Sequence, residues 1–454
     1  MGLILWVDDE WNPALEETEG NLLLLSARKY VLDALPDLSL YKIDICYTAE
    51  EGAALLDQNP HRYDFVIVDY IFQNSRIDMS SVTRAANRYQ VPYFVLSNLK
   101  PPDTKHDPLL LGAFLKTAES LHQLQKHIQA FLAAPPASLL HLSDIHYTAS
   151  ESQDIMWNEL IVYLKTEMSV GQIDGVVITG DIANHHPARD LVQVKPHLCK
   201  LVDTLGVDSN NIFIVPGNHD ILWDDYENRI LAKNPWLYYL NLLRELDIPL
   251  PNISNHREID FGNQDADLFW LREFRNDLEF CGLCTTSTEA LAQGRGVLRS
   301  TDIRRIRRSW YNNSKNKGRI ALMHHNPFPV LSFSDSDELS PLDDSGRVLN
   351  SLIDLGCGLV ISGHTHSRFV ARMHVNVSSQ HSSNEITSIT SIGGPTMGGF
   401  HGDLDREKAF QTITIGPGTP GKIQRSLQLR RFQYNSSQER WWAVETFEHP
   451  FMVF

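Results

Sequence analysis

Ile212-Phe-Ile-Val-Pro-Gly-Asn-His-Asp220 decides how this chain is read. Its first four residues are β-branched or aromatic and read as a buried strand. Pro216-Gly217 ends that strand and releases Asn218, His219 and Asp220 together. Strand ends of this kind hold the chemistry of α/β proteins. An amide oxygen, an imidazole and a carboxylate so placed point to metal ligation or acid–base work.

Four more stretches follow the same plan. Leu139-Leu-His-Leu-Ser-Asp144-Ile-His146 closes on Asp-x-His, and Gly175-Val-Val-Ile-Thr-Gly180-Asp181 closes on Gly-Asp. Ile320-Ala-Leu-Met-His324-His325-Asn-Pro327 ends in paired histidines, and Leu359-Val-Ile-Ser-Gly363-His364-Thr-His366 in His-x-His. Mixed oxygen and imidazole donors suit divalent transition metals, with one carboxylate able to bridge a pair. In this order the five motifs resemble the calcineurin-like metallophosphoesterase family over residues 139–366 and onward. The resemblance implies a four-layer α/β/β/α sandwich that hydrolyses phosphoester bonds. It implies one metal on Asp144, His146, Asp181 and His366, and a second on Asp181, Asn218, His324 and His364. Mn, Fe or Zn would fill these places, with Asp181 as the bridge. His324 comes first after its strand, but the adjacent His325 keeps that choice open. His219 is placed to stabilise charge on phosphoryl oxygens or to protonate the leaving oxygen, and Asp220 to orient it.

At 454 residues, 42% hydrophobic and 21% charged, the chain is expected to form two or three soluble domains. No stretch approaches the roughly 20 apolar residues of a membrane span. The N-terminus runs from Met1 into Asp8-Asp9-Glu10 without the basic region of a signal peptide. Trp6 breaks the acylation pattern that Gly2 would begin. Five cysteines in so long a chain argue against a disulfide framework, so the expected location is the cytoplasm. Cys281-Gly-Leu-Cys284 has no second pair and is read as packing. A net charge of −16 disfavours broad nucleic-acid binding. Residues 295–319 are a basic exception, including Arg304, Arg307 and Arg308. They form either a solvated helix with Ile303, Ile306 and Trp310 on its apolar face, or a patch for an anionic substrate or partner.

Residues 1–134 alternate strands and helices on their own plan. Strands are expected at 3–7, 43–47, 65–69 and 92–97, with a short apolar run at 112–116. Helices are expected at about 22–35, 49–56 and 118–132. Such alternation implies a doubly wound, flavodoxin-like parallel sheet. Its C-terminal edge would gather Asp8, Asp9, Asp69, Ser97 and Lys116, and carboxylates so close call for a cation such as Mg²⁺. In that order these residues resemble the receiver domain of two-component response regulators. The resemblance implies that Asp8 and Asp9 hold Mg²⁺ and that Asp69 is the phosphoacceptor. Ser97 would be the switch hydroxyl and Lys116 the contact to the phosphoryl group. A histidine kinase or phosphotransfer protein is the implied partner. Three departures bear on the output surface: no proline closely follows Asp69, Thr117 replaces the usual proline after the lysine, and the stretch between Asp9 and Asp69 is longer than usual.

Residues 135–138 form a proline-containing spacer, and 139–454 the phosphoesterase half. Helices are expected there at 157–168 and 191–205. Residues 221–278, rich in Trp, Tyr and Leu, read as an insertion, either a helical elaboration of the body or a lid that shapes substrate choice. Residues 370–454 are β-rich, with strands at 386–392 and 410–415 and a hairpin of 426–434 with 441–447. The glycine-rich loop 393–399 is a flexible turn or a close approach to the site. The leading reading is a cytoplasmic phosphoesterase, for mono- or diesters, regulated in activity or assembly by phosphorylation of Asp69. Its rivals are a metal-dependent nuclease and a signalling scaffold with a docking-only receiver. Expected partners are a phosphoester substrate and a second copy of the chain, with nucleic acid disfavoured and no membrane.

Overall fold

Leu3, Leu5 and Val7 face one side of the first strand and Ile4 and Trp6 the other, and all five are buried. A strand apolar on both faces needs cover on both. The computed structural model describes residues 2–8, 27, 29–34, 41–58, 63–69, 79–88, 91–98, 110–133, 136–168, 173–184, 186–225, 230–232, 236–250, 269–275, 277–286, 296–298, 303–304, 306–308, 317–328, 342–366, 368–377, 385–398, 408–416 and 424–452. Two compact units emerge: Met1–Pro136 with Gly416–Ser426, and Ala137–Ile415 with Leu427–Phe454.

In the first unit, β1 (Gly2–Val7), β2 (Tyr41–Cys46), β3 (Phe65–Asp69), β4 (Tyr93–Ser97) and β5 (Leu110–Leu115) form a parallel sheet. The order β2-β1-β3-β4-β5 is the flavodoxin-like doubly wound order. Helices α1 (Ala49–Gln58) and α2 (Ser80–Arg88) pack Leu56, Val82 and Ala86 on the Leu5 face. Helix α3 (Ala118–Ala133) covers Trp6, Ile67 and Phe94 with Leu121, Leu124 and Ile128. Of the helix expected at 22–35, residues 27 and 29–34 are described, and they are helical. Thr117 caps α3: its hydroxyl accepts from the Ser120 N–H at 3.4 Å and its carbonyl from Leu121 N–H at 2.8 Å.

The second unit holds two six-stranded sheets. In one, β6 (Ala137–Leu142), β7 (Gly175–Ile178) and β8 (Ile212–Ile214) run parallel. They continue through β17 (Ala409–Ile415), β18 (Gln424–Asn435) and β19 (Arg440–Met452) in the order β19-β18-β17-β6-β7-β8. The other contains β11 (Phe269–Phe274), β12 (Leu278–Leu283), β13 (Gly318–Met323), β14 (Cys357–Ser362), β15 (Phe369–Val377) and β16 (Glu385–Gly393). Its order is β11-β12-β13-β14-β16-β15, parallel within and antiparallel at both edges. A separate ribbon pairs β9 (Trp223–Asp225) with β10 (Ile230–Leu231).

Between the sheets, Leu139, Val177 and Phe213 interlock with Phe280, Ile320, Leu322 and Ile361. Phe213 stacks on Phe280 with 4.3 Å between ring centroids. Outside the first sheet lie α4 (Glu151–Glu167), α5 (Pro187–Leu205) and α6 (Leu237–Glu245), which bury Trp157, Leu198 and Leu243. Outside the second, α7 (Ser345–Asp354) buries Val348 and Leu352 against Met323 and Val360. The result is the four-layer α/β/β/α sandwich. Among the described residues no helix is long and apolar enough to cross a membrane.

Some expectations need correction. Phe269–Phe274 is a body strand, so residues 221–278 are not all insertion: Trp270 and Phe274 belong to the inter-sheet core. The described residues 236–250 pack on the body, where Tyr239 Oη donates to the Ile214 carbonyl at 3.0 Å, and 251–268 lie outside the described residues. α4 begins earlier than expected because Ser150 caps it, accepting from Gln153 N–H. In the basic stretch Ile303 and Ile306 are buried and Arg304, Arg307 and Arg308 exposed, while Trp310 lies outside the described residues. Arg307 pairs with Asp354 at 2.9 Å. Cys281 and Cys284 are buried as thiols, with no disulfide between them.

Phe280→Ala removes a fully buried ring from the contact between the sheets. It is expected to cost about 3–5 kcal/mol, read as a lower urea midpoint for this unit. An unchanged midpoint would show that the sheets do not depend on that contact.

Candidate metal centre

The polar strand ends of the second unit arrive at one place. Asp144 and His146 follow β6, Asp181 follows β7, and Asn218–Asp220 form a 3-10 turn after β8. From the facing sheet, His324 and His325 follow β13, and His364 and His366 follow β14. Asp144, His146, Asp181, His364 and His366 all have positive φ, between 46° and 66°. Residues other than glycine rarely adopt this conformation, and it clusters at functional sites. β6, β7 and β14 are thus broken sharply at the residues that carry their polar groups.

Two half-sites share one carboxylate. Asp144 Oδ1 is 3.2 Å from His366 Nε2, which is 3.2 Å from His146 Nε2, itself 3.9 Å from Asp181 Oδ2. On the other side, His324 Nε2 lies 3.3 Å from Asp181 Oδ2, 3.0 Å from Asn218 Oδ1 and 3.2 Å from His364 Nδ1. Asp144, His146, Asp181 and His366 bring their donor atoms within 4.8 Å of one another, as do His324, His325 and His364.

His324 Nδ1–H donates to the Thr179 carbonyl at 2.8 Å. In the neutral imidazole Nε2 is then a lone pair facing other acceptors, and in the charged one it carries the proton that Asp181 attracts. His364 Nε2 is buried, with no hydrogen-bond partner among the described residues. Lone pairs gathered away from water repel unless a proton or a cation lies among them. Burial disfavours the charged form of Asp144, but the His366 and His324 imidazoles outweigh it and hold the carboxyl at about 2. Burial likewise opposes ionised Asp181, and His324 and His219 hold it well below the usual carboxylate range. Burial opposes charge on His324 too, yet Asp181 overrides it and raises that imidazole to about 9. For His146 and His364 burial wins, lowering both to about 3. Two carboxylates, an amide oxygen and a set of imidazoles, of which burial holds His146 and His364 neutral, fit a divalent transition metal.

The histidine doublet divides. His324 faces Asp181 and Asn218, whereas His325 Nδ1 lies 2.9 Å from Thr285 Oγ1, which also accepts the His325 backbone N–H at 3.2 Å. Asp220 does not orient His219, contrary to expectation. Its Oδ2 accepts from Gly217 N–H at 2.9 Å, and its Oδ1 from Ile182 and Ala183 N–H at 2.8 and 2.9 Å. Burial and the nearby Asp181 raise this carboxyl to about 7, against the pull of the Gly217 and Ala183 N–H groups. His219 is held instead by the Asn184 carbonyl at Nδ1, while its backbone N–H donates to Asp181 Oδ1 at 2.8 Å. Asn184 was not foreseen, because a backbone carbonyl leaves no mark on residue type. The glycine-rich loop does approach closely. Thr396 Oγ1 and Gly398 N–H donate to the Asp144 carbonyl at 3.0 and 3.1 Å.

In the first unit, Lys116 Nζ lies 3.0 Å from Asp8 Oδ2 and 2.9 Å from Asp69 Oδ2, and all three residues are buried. The Lys116 backbone N–H donates to the carbonyl of buried Ser97 at 2.9 Å. Asp9 lies outside the described residues.

A family model described as calcineurin-like phosphoesterase matches residues 137–368. A curated protein of Bacillus subtilis (strain 168), called "Uncharacterized metallophosphoesterase-like protein YydB", is 25% identical over 247 residues. The match covers 50% of this chain and 48% of that protein, so this chain spans about half the length of that relative. A "Probable cyclic nucleotide phosphodiesterase" of Coxiella burnetii (strain RSA 493 / Nine Mile phase I) is 26% identical over 235 residues, or 51% of this chain and 76% of its own. Among solved structures, the receiver domain of the hybrid histidine kinase CckA is 21% identical. It covers 28% of this chain and 99% of its own length, with a TM-score of 0.20.

Gly217 lets the turn after β8 press against the Asp181 loop. A Cβ there would stand 2.1 Å from Asp181 Oδ1 and 2.3 Å from its backbone nitrogen. The φ of −98° is open to alanine, so only the clash counts. Gly217→Ala should therefore displace Asp181 and weaken Mn²⁺ binding by about tenfold or more in a protein that still folds. Metal titration beside circular dichroism checks this, and wild-type affinity would contradict it.

Proposed function

The chain belongs to the calcineurin-like phosphoesterase family, and from that membership we propose a two-metal hydrolase of phosphoester bonds regulated through Asp69 of a receiver domain. The observation that carries this reading is the Asp181 Oδ2 atom, common to both half-sites. Asp144, His146, Asp181 and His366 would hold one ion, and Asp181, Asn218, His324 and His364 the other. Mn²⁺, Fe or Zn²⁺ suits such imidazole-rich donors, whereas Mg²⁺ prefers oxygen. Such a pair supplies Lewis-acid polarisation of the phosphoryl oxygens and a more acidic water.

His219 is assigned the proton work. With Nδ1–H tied to the Asn184 carbonyl, Nε2 is its exchangeable position. Protonated there, it can donate a hydrogen bond to a phosphoryl oxygen and pass its proton to the leaving oxygen. Asp220 holds the turn on which His219 sits. The name of the Coxiella burnetii relative makes a cyclic nucleotide, a phosphodiester, the first substrate class to try. The net charge of −16 and the pairing of Arg307 weigh against a nuclease.

In the receiver, the Asp69 carboxylate would attack the phosphorus of a donor, expel its leaving group and become an acyl phosphate. Asp8, Asp9 and Asp69 offer the oxygen atoms that Mg²⁺ prefers. Lys116 already spans Asp8 and Asp69, so added phosphoryl charge would draw it and Ser97 into a new arrangement. A histidine kinase or phosphotransfer protein would supply the phosphoryl group, and a second copy of the chain is the proposed partner in assembly.

Chelator-stripped protein supplied with Mn²⁺ should hydrolyse an aryl phosphodiester, and recover better than with Mg²⁺. Asp181→Asn should lose most of this activity together with its metal. His219→Ala should fall about 10²–10⁴-fold in kcat while keeping its metal. A fully active Asp181→Asn protein would sink the shared-carboxylate reading. A small phosphodonor with Mg²⁺ should add one phosphoryl group to the wild type, seen by intact mass, and change its hydrolysis rate or oligomeric state. Asp69→Ala should show neither effect, and a wild type that takes no phosphoryl group from donor or kinase would end the regulatory half of the proposal.

A further inference from the structure

Beneath the metal centre runs a line of buried side chains that the reaction above does not use. Gln411 Nε2 is 2.8 Å from His141 Nδ1, and His141 Nε2 is 2.9 Å from Thr179 Oγ1. Thr179 Oγ1 is 2.8 Å from Ser143 Oγ, which makes a short hydrogen bond to Asp144 Oδ2. All five residues are buried. His141 sits on β6, Thr179 follows β7 and Gln411 sits on β17, so the line crosses three neighbouring strands.

Counting protons fixes its direction. Ionised Asp144 can only accept, so Ser143 donates to it and must accept from Thr179. The single Thr179 hydroxyl proton is then spent, so Thr179 accepts from His141 Nε2–H. His141 Nδ1 is left bare and takes an N–H from the Gln411 amide, which also reaches the Gly393 carbonyl at 3.4 Å. A doubly protonated His141 would set N–H against N–H at Gln411. Burial holds this imidazole neutral, lowering it to about 3.

The line ends on one oxygen. Asp144 Oδ2 takes the Ser143 hydroxyl, whereas Oδ1 faces His366 Nε2 at 3.2 Å. The His364 N–H spans both oxygens at 3.1 and 3.2 Å. Holding Oδ2 stops the carboxylate from rotating and keeps Oδ1 aimed at the histidines. The surroundings allow no slack: a Cβ on Gly363 would meet Ser143 Oγ at 2.2 Å, and one on Gly394 would meet His141 Cε1 at 2.8 Å.

We propose that Gln411, His141, Thr179 and Ser143 are positioning residues that fix Asp144 for the ion it shares with His146, Asp181 and His366, and so set that ion's affinity. This rests on reading Asp144 as a metal ligand. The test is Mn²⁺ titration calorimetry on the chelator-stripped full chain, comparing wild type with Thr179→Val, Thr179→Ser, Ser143→Ala and Asp144→Asn. Thr179→Val keeps the branched side-chain shape and the backbone carbonyl that His324 uses, and exchanges the hydroxyl for a methyl. Thr179→Val and Ser143→Ala should each bind about tenfold or more weakly, and Thr179→Ser should restore wild-type affinity. A merely structural role would lower the melting point of the metal-free protein without this loss and rescue of affinity. Wild-type affinity in Thr179→Val and Ser143→Ala beside a weakened Asp144→Asn would overturn the relay, as would a Thr179→Ser protein no better than Thr179→Val. Wild-type affinity in Asp144→Asn would overturn the ligand reading beneath it. Should Thr179→Val not fold, Ser143→Ala, which removes a single oxygen, decides the matter.

Discussion

Asp181 presents one oxygen to histidines from two sheets, 3.9 Å from His146 and 3.3 Å from His324, and all three residues are buried. A buried carboxylate is costly unless its charge is matched, and neutral imidazoles match it poorly. Much of the second unit's geometry serves this crowding. The sheets must face each other with their C-terminal ends level, and the Phe213–Phe280 stack sets their spacing in the core. Strands must end abruptly, which the positive φ at five of the polar positions achieves. The turn after β8 must come close enough for the His219 N–H to reach Asp181, which the bare Gly217 backbone permits.

The first unit meets a similar demand in another way. Asp8 and Asp69 converge at the edge of a parallel sheet, and the Lys116 ammonium lies between them. A lysine is a fixed positive charge that can follow a changing negative one, which suits a site that gains and loses charge. Among the described residues the cluster around Asp181 has imidazoles for counter-charge, and burial holds His146 and His364 neutral. One arrangement suits a switch, the other a resident divalent ion.

Which residues would gather was legible because five apolar runs each ended in a distinct polar signature. The five signatures anticipated β6, β7, β8, β13 and β14. β11 and β12 were harder. β11 carries Trp270 and Phe274 with Arg272 and Glu273 between them, a mixed pattern that read as part of an insertion. The partners of the polar groups were largely illegible. Asn184 acts through its carbonyl, Asp220 binds three backbone N–H groups, and His141 meets a glutamine far along the chain. Contacts of that kind depend on register between sheet neighbours, not on local residue pattern. Thr117 shows the opposite case: read as a departure from the receiver pattern, it is also an ordinary helix cap.

If two ions share Asp181, their spins must interact through its carboxylate. Titration of chelator-stripped protein with Mn²⁺, followed by electron paramagnetic resonance, tests this most directly. Two Mn²⁺ per chain with an exchange-coupled spectrum is the expected result. A single ion per chain, or two with independent spectra, would contradict it.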